Sequence, residues 1–128
     1  MNQAHPSADR SGRHEVVRRR FKYAPPPWVI YEAVVAESTR WLSVLPGETA
    51  PAVTDSHRPD YALLEPWLDH ALCDLEVRIG ADGPGSVVTL VGYARQGELD
   101  PDTRRRVRHR MGTAFGAELR NWVDEPHW

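Results

Sequence analysis

One cysteine, Cys73, occurs in 128 residues. That excludes an intrachain disulfide and makes a reduced, cytoplasmic setting the expectation. No apolar run approaches the length of a bilayer span, and no secretory signal is visible at the N-terminus, so no membrane span is predicted. Charge of one sign is also missing: 16 lysines and arginines stand against 18 acidic residues, for a net charge of -2. Nothing in that balance argues globally for a polyanionic partner. There is no Gly-rich phosphate loop, no nucleophile elbow and no zinc motif. His5, His14, His57, His70, His109 and His127 are not spaced as a metal cluster. Neither a metal nor a cofactor is therefore expected. No internal repeat is present, and the length suits one domain with a real core.

What the sequence does contain is one long amphipathic segment from Asp100 to Glu125. Asp100 is a good N-cap, Pro101 fits the first helical position, and Asp102 suits the positive end of the helix dipole. Val107, Met111, Ala114, Phe115, Leu119 and Trp122 recur at steps of three and four, one apolar stripe on a long helix. Everything before it must supply the surface that buries that stripe.

Residues 1–13 are polar and without apolar period, and read as a mobile tail; 126–128 read as a short C-terminal one. The single domain then spans 14–125. His14 to Tyr23 alternates as a half-buried strand, with Val17, Arg19, Phe21 and Tyr23 on one face. Pro25-Pro26-Pro27 ends it and seats a short apolar helix carrying Trp28, Ile30, Tyr31, Val34 and Val35. A second short helix is predicted from Glu37 to Leu45, with Trp41 and Leu42, before the Pro46-Gly47 turn. Strands are predicted over Ala52–His57 and Tyr61–Trp67 around Arg58-Pro59-Asp60. A clear hairpin follows. Ala71, Cys73, Leu75, Val77 and Ile79 alternate, Ala81 to Gly85 turns, and Ser86 to Arg95 returns with Val88, Leu90, Gly92 and Ala94 inward. Gly92 and Ala94 make that face thin and leave room for a cavity. The layout is α+β.

In this order the chain resembles the START/polyketide-cyclase-like (SRPBCC) superfamily. Phe21-Lys22-Tyr23-Ala24-Pro25-Pro26 is similar to its first strand and Ala-Pro turn. Ile30 to Val34 is similar to its first helix, Arg40-Trp41-Leu42 to a following tryptophan, Gly83 to Leu90 to its Gly-Thr-x-Val-x-Leu entry, and Leu119-Arg120 to its last-helix ending. Pro27 is an extra residue, and Tyr31 replaces a tryptophan. The resemblance implies the helix-grip fold: a curved antiparallel sheet wrapped around a long C-terminal helix, with two short helices after the first strand. It implies a pocket but carries no catalytic residues, so no reaction follows from it.

The candidate site is assembled from inward-facing positions. Phe21, Tyr23, Trp41, Met111, Phe115 and Trp122 would wall a cavity between helix and sheet, with Arg19 and Glu118 as its polar groups. At 3.6 residues per turn Glu118 falls in the middle of the stripe, and a buried carboxylate needs a partner, for which Arg19 is placed. A structural ion pair between them is preferred to a general base in a pocket. Asp55 and His57 share a strand face and suggest an oriented imidazole, a spacing that is also common by chance. Cys73 reads as a buried apolar thiol. Arg104, Arg105, Arg106, Arg108, His109 and Arg110 make the first half of the helix basic, with Arg104 and Arg108 on the extension of the stripe, where they would rim a pocket mouth. The remainder read as a solvated face, and nucleic acid is disfavoured. Three functions stay open. The first is a cytoplasmic protein binding a hydrophobic or aromatic small molecule, lipid or polyketide-like. The second is a cyclase or aromatase enzyme. The third is a co-chaperone-like interaction module without a usable pocket. A homodimer through the two-helix segment or a sheet edge is compatible with each.

Overall fold

The computed structural model describes residues 14–68 and 72–124. The two tail segments, and the Ala71 start expected for the fourth strand, lie outside the described residues. Strand β1 (His14–Tyr23) leads to α1 (Pro27–Ala36) and α2 (Ser38–Trp41). Then come β2 (Val53–His57), β3 (Tyr61–Trp67), β4 (Cys73–Asp82) and β5 (Gly85–Ala94). The chain closes with α3 (Pro101–Met111), a π-helical stretch (Gly112–Leu119) and α4 (Arg120–Asp124), which run on as one long helix.

The strands form one antiparallel sheet in the order β1-β5-β4-β3-β2. Pairing of His14 with Ala94 and of Tyr23 with Ser86 brings the first strand against the last. The β4–β5 hairpin closes through Gly83-Pro84, with Asp82 opposite Gly85. This is an α+β helix-grip architecture, with the sheet curved around the long helix as the resemblance implied.

The sequence signals act where expected. Asp100 Oδ1 accepts from the Thr103 backbone N–H at 2.8 Å and caps α3, behind Pro at the first helical position. That hydrogen bond holds the Asp100 carboxyl below its ordinary pKa. Pro26 caps α1, whose buried face is Ile30, Tyr31, Ala33 and Val34. Val107, Met111, Ala114, Phe115 and Leu119 are all buried against the sheet.

Two expectations are corrected. The second short helix stops at Trp41 rather than Leu45, because Leu42 takes an extended conformation. Trp41 turns into the core, and its Nε1 donates to the Ala33 carbonyl at 2.8 Å. The thin face at Gly92 is not open: a Cβ there would stand 3.1 Å from both Met111 Cε and Val17 Cγ1, so those side chains take up the space. On the other face of β4, Asp74 and Glu76 are both buried. Glu76 accepts from Tyr61 Oη at 3.0 Å, Tyr93 Oη at 3.2 Å and Arg78 Nε at 2.8 Å. Burial, reinforced by the Glu76 charge, pushes the Tyr93 hydroxyl above its ordinary pKa. Asp74 is ion-paired to Arg95.

Phe115 is the most connected ring of the core. Its ring centroid lies 5.7 Å from that of Trp41, edge-on, and 5.8 Å from that of Trp67. Phe115→Ala is expected to cost about 3–5 kcal/mol in chemical denaturation, because the rigid neighbours cannot close the void. A loss below about 1 kcal/mol would mean that the ring fills no sealed core.

Candidate functional site

The residues expected to wall a cavity separate into two groups, with Glu118 and Trp122 apart from both. Tyr23, Trp41, Met111 and Phe115 are buried in the core beneath the helix. Tyr23 Oη donates to the Phe115 carbonyl at 2.6 Å, and burial drives its pKa far upward. Arg120 crosses above the Tyr23 ring at 5.2 Å and donates from Nη2 to the Lys22 carbonyl at 2.7 Å. Trp67, absent from the expected wall, completes this cluster. Its indole Nε1 is fully buried and, among the described residues, has no hydrogen-bond partner.

Arg19 and Phe21 form the second group, at the edge of the grip. Arg19 Nη1 donates to the Arg108 carbonyl at 3.1 Å, and its guanidinium lies 4.9 Å from the Phe21 ring centroid. Glycine at 112 and 116 permits this approach: Cβ atoms there would stand 2.7 Å from Arg19 Nη1 and 3.1 Å from Phe21 Cε1.

Glu118 belongs to neither group, and the expected pair with Arg19 does not form. Glu118 Oε1 instead accepts from the Ser43 backbone N–H at 3.2 Å and lies 3.9 Å from Arg110 Nη1. The reason is the π-helical winding from Gly112 to Leu119. With i→i+5 bonding each residue advances less around the axis than in an α-helix, so a wheel drawn at 3.6 residues per turn places Glu118 wrongly.

Arg110 is the residue that sequence reasoning missed. It is buried, and it grips Glu48 with two nitrogens, Nε to Oε2 at 2.8 Å and Nη2 to Oε1 at 3.1 Å. It also donates to the Ser43 carbonyl. A bidentate guanidinium–carboxylate pair is among the stronger charged contacts. Here it fastens the chain between α2 and β2 to the long helix. A usable signal existed: Arg110 stands three residues after Val107 and four before Ala114, the spacing of the stripe itself.

Asp55 and His57 do not assemble a site. A register shift falls between Val53 and Asp55 on β2, and no hydrogen bond joins the two side chains. His57 is exposed, its ring 6.0 Å from that of Tyr61. Cys73 is buried as expected. Among the described residues no group of three or more His, Cys, Asp or Glu side chains is placed to hold a metal ion. None of their helices is long and apolar enough to cross a membrane.

Three concavities mark the surface. A groove of about 790 Å³ lies between α1 and the end of the long helix, lined by Trp28, Val29, Ala33, Glu37, Arg40 and Trp122 among others. Trp28 is 60% exposed there. Trp122 Nε1 donates to Glu37 Oε1 at 3.4 Å, which orients the second indole. Of the expected wall residues, only Trp122 lines this groove. A groove of about 640 Å³ lies at the opposite end of the helix, against β1, and a smaller one of about 480 Å³ runs beside Arg105 and Arg110.

Comparison of the coordinates shows that the chain shares the helix-grip fold with several solved structures. It is similar to CalC of Micromonospora echinospora, a self-sacrificing resistance protein, with a TM-score of 0.56 at 11% identity over 88% of this chain and 95% of that one. CalU16 of the same organism gives a TM-score of 0.53 at 13% identity, over 80% of this chain and 74% of that one. Aha1 of Colwellia psychrerythraea, solved as a dimer, gives 0.50 at 10% identity, over 79% and 97%. At these identities the likeness is one of fold. No protein-family model matches the sequence, and no curated protein matches it.

The Arg110 clamp yields a direct test. Arg110→Met is expected to destabilise the protein by about 3 kcal/mol, since it strips a buried carboxylate of its guanidinium. The Arg110→Met/Glu48→Leu double variant should cost less than the two single changes summed, with about 0.5–3 kcal/mol of coupling in denaturant melts. Additive losses would mean that the pair contributes no mutual stabilisation.

Proposed function

We propose that the protein binds a hydrophobic or aromatic small molecule, and that the ligand occupies the groove between α1 and the end of the long helix. The groove itself carries this reading. It is the largest of the three concavities at about 790 Å³, it is lined by two tryptophans and aliphatic side chains, and it has a few charged groups around it. Binding pockets for small organic ligands commonly have that size and that mixture. An exposed Trp28 has no structural role evident in the fold, whereas apolar surface left in a concavity favours an apolar occupant. The site is thus shifted from the sheet side of the helix, where Trp41, Phe115 and Trp67 occupy the space, to the side that faces α1.

That same packing favours a second reading, an interaction module that keeps the fold without an internal cavity. No observation favours a cyclase, which needs a proton-moving group facing a substrate. Glu118 is held by Ser43 and lies beside Arg110, and Asp55 and His57 are not joined. A cytoplasmic setting remains part of the proposal and rests on a single buried thiol.

An environment-sensitive apolar dye should bind the native protein at one saturable site. Trp28→Ala and Trp122→Ala should each weaken it by about tenfold, roughly the 1.4 kcal/mol of a lost aromatic contact. Tyr23→Phe, which leaves the groove untouched, should bind as before. Failure of the dye and of a panel of aromatic acids and lipids to saturate would favour the interaction module.

A further inference from the structure

The basic first half of the long helix is not absorbed by an apolar ligand site. α3 carries five arginines against one aspartate. Arg105 is paired with Asp102 at 2.6 Å, and Arg110 with Glu48. Among the described residues, no carboxylate pairs with Arg104 or Arg108. These two stand four residues apart, on one face of the helix. That face turns toward the start of β1, and together they line the groove of about 640 Å³.

We propose that this groove binds a phosphoryl group, with Arg104 and Arg108 as its principal ligands. Arg104 Nε donates to the Leu99 carbonyl at 3.3 Å, which steadies the side chain and leaves its terminal nitrogens available. Across the groove stands Arg18, bonded to Glu15 through Nε at 3.1 Å and Nη2 at 2.9 Å. Glu15 is the one carboxylate lining the groove, and it is neutralised by that pair, which holds its pKa below the ordinary value. The apolar residues lining the groove are Val16, Val17 and Pro101, of which the two valines are buried and limit solvent screening on their side. The N-terminal N–H of Thr103 is already taken by Asp100, so the donors offered to an anion are guanidiniums rather than the helix end.

Two like charges one turn apart destabilise a helix unless something neutralises them. A dianion with several oxygens does so, and a guanidinium fork matches phosphoryl oxygens in pairs. A monocarboxylate would satisfy only one of the two. The site lies at the opposite end of the long helix from the tryptophan groove, and does not depend on the reading given to that groove.

The probe is pyrophosphate, titrated at low salt and followed by calorimetry and by backbone amide shifts. Saturable single-site binding is expected, with the largest shifts at Arg104 to Arg108. Arg104→Gln/Arg108→Gln should weaken it at least about tenfold. Arg20→Gln/Arg106→Gln removes the same charge from positions outside the groove and should leave the affinity within about threefold. A parallel arm uses vesicles of phosphatidylcholine with or without phosphatidic acid. Retention only on phosphatidic acid, lost in the Arg104/Arg108 variant, supports the site and makes a lipid headgroup the source. Pyrophosphate binding without vesicle retention supports it with a soluble phosphate. Equal loss in the two double variants would reduce the effect to net charge and overturn the proposal. So would an absence of saturable pyrophosphate binding together with no retention on phosphatidic acid vesicles. A single-stranded oligonucleotide that binds far more tightly than pyrophosphate, with steep salt dependence, would assign the patch to nucleic acid instead.

Discussion

The position of Phe115 is the constraint on which the rest of the structure depends. Its ring must leave water, and every element that could shelter it does so. Trp41 comes from α2, Trp67 from β3, and Tyr23 from the end of β1 donates to its carbonyl. The helix is thereby fixed in rotation as well as in depth. Arg120 and Arg110 then secure it on two sides, one to β1 and the other to the chain that follows α2. Hydrophobic burial sets where the helix lies, and the directional contacts set how it is turned. A charged pair contributes that directionality best when its geometry is bidentate, as for Arg110 and Glu48.

Much of this was legible from local patterning. The apolar stripe, the proline-seated first helix, the Asp100 cap and the β4–β5 hairpin each depend on neighbours a few residues away, and each formed near its expected bounds. What failed required information that no local window holds. Glu118 was misplaced because the winding changes inside the helix, and no sequence period announces a π-helical stretch. Asp74 and Glu76 alternate with Cys73, Leu75 and Val77, and nothing local marks them as buried. Their burial follows from Tyr61 and Tyr93 on neighbouring strands, which meet Glu76 only once the register is known. For the candidate site, Tyr23, Trp41 and Phe115 do lie together, while Phe21 and Trp122 lie apart and Trp67 joins them. Whether they surround a space or fill it is a question of volume, and volume cannot be read from periodicity.

The two ends of the long helix are chemically unlike. At the α4 end Trp122 borders an apolar groove against α1, while at the α3 start the guanidiniums of Arg104 and Arg108 border a cationic one against β1. Between them the helix face is sealed by Met111, Ala114, Phe115 and Leu119. The middle of the helix is thus committed to stability, and the two binding sites proposed above both fall at its ends.

The order of strands has a consequence for how the chain is made. β1 is synthesised before the other strands described, yet among the described residues its strand partner is β5, and the pairs run from Tyr23–Ser86 to His14–Ala94. The first strand therefore stays unpaired until β5 has left the ribosome. Its inner face is covered only when the last helix follows. Such sequence-distant contacts slow folding, because loop closure must precede any return from burial. During that interval the alternating arginines of β1 serve a second purpose. Arg18, Arg20 and Lys22 line one side of an open edge, and like charges there discourage two nascent chains from pairing with each other.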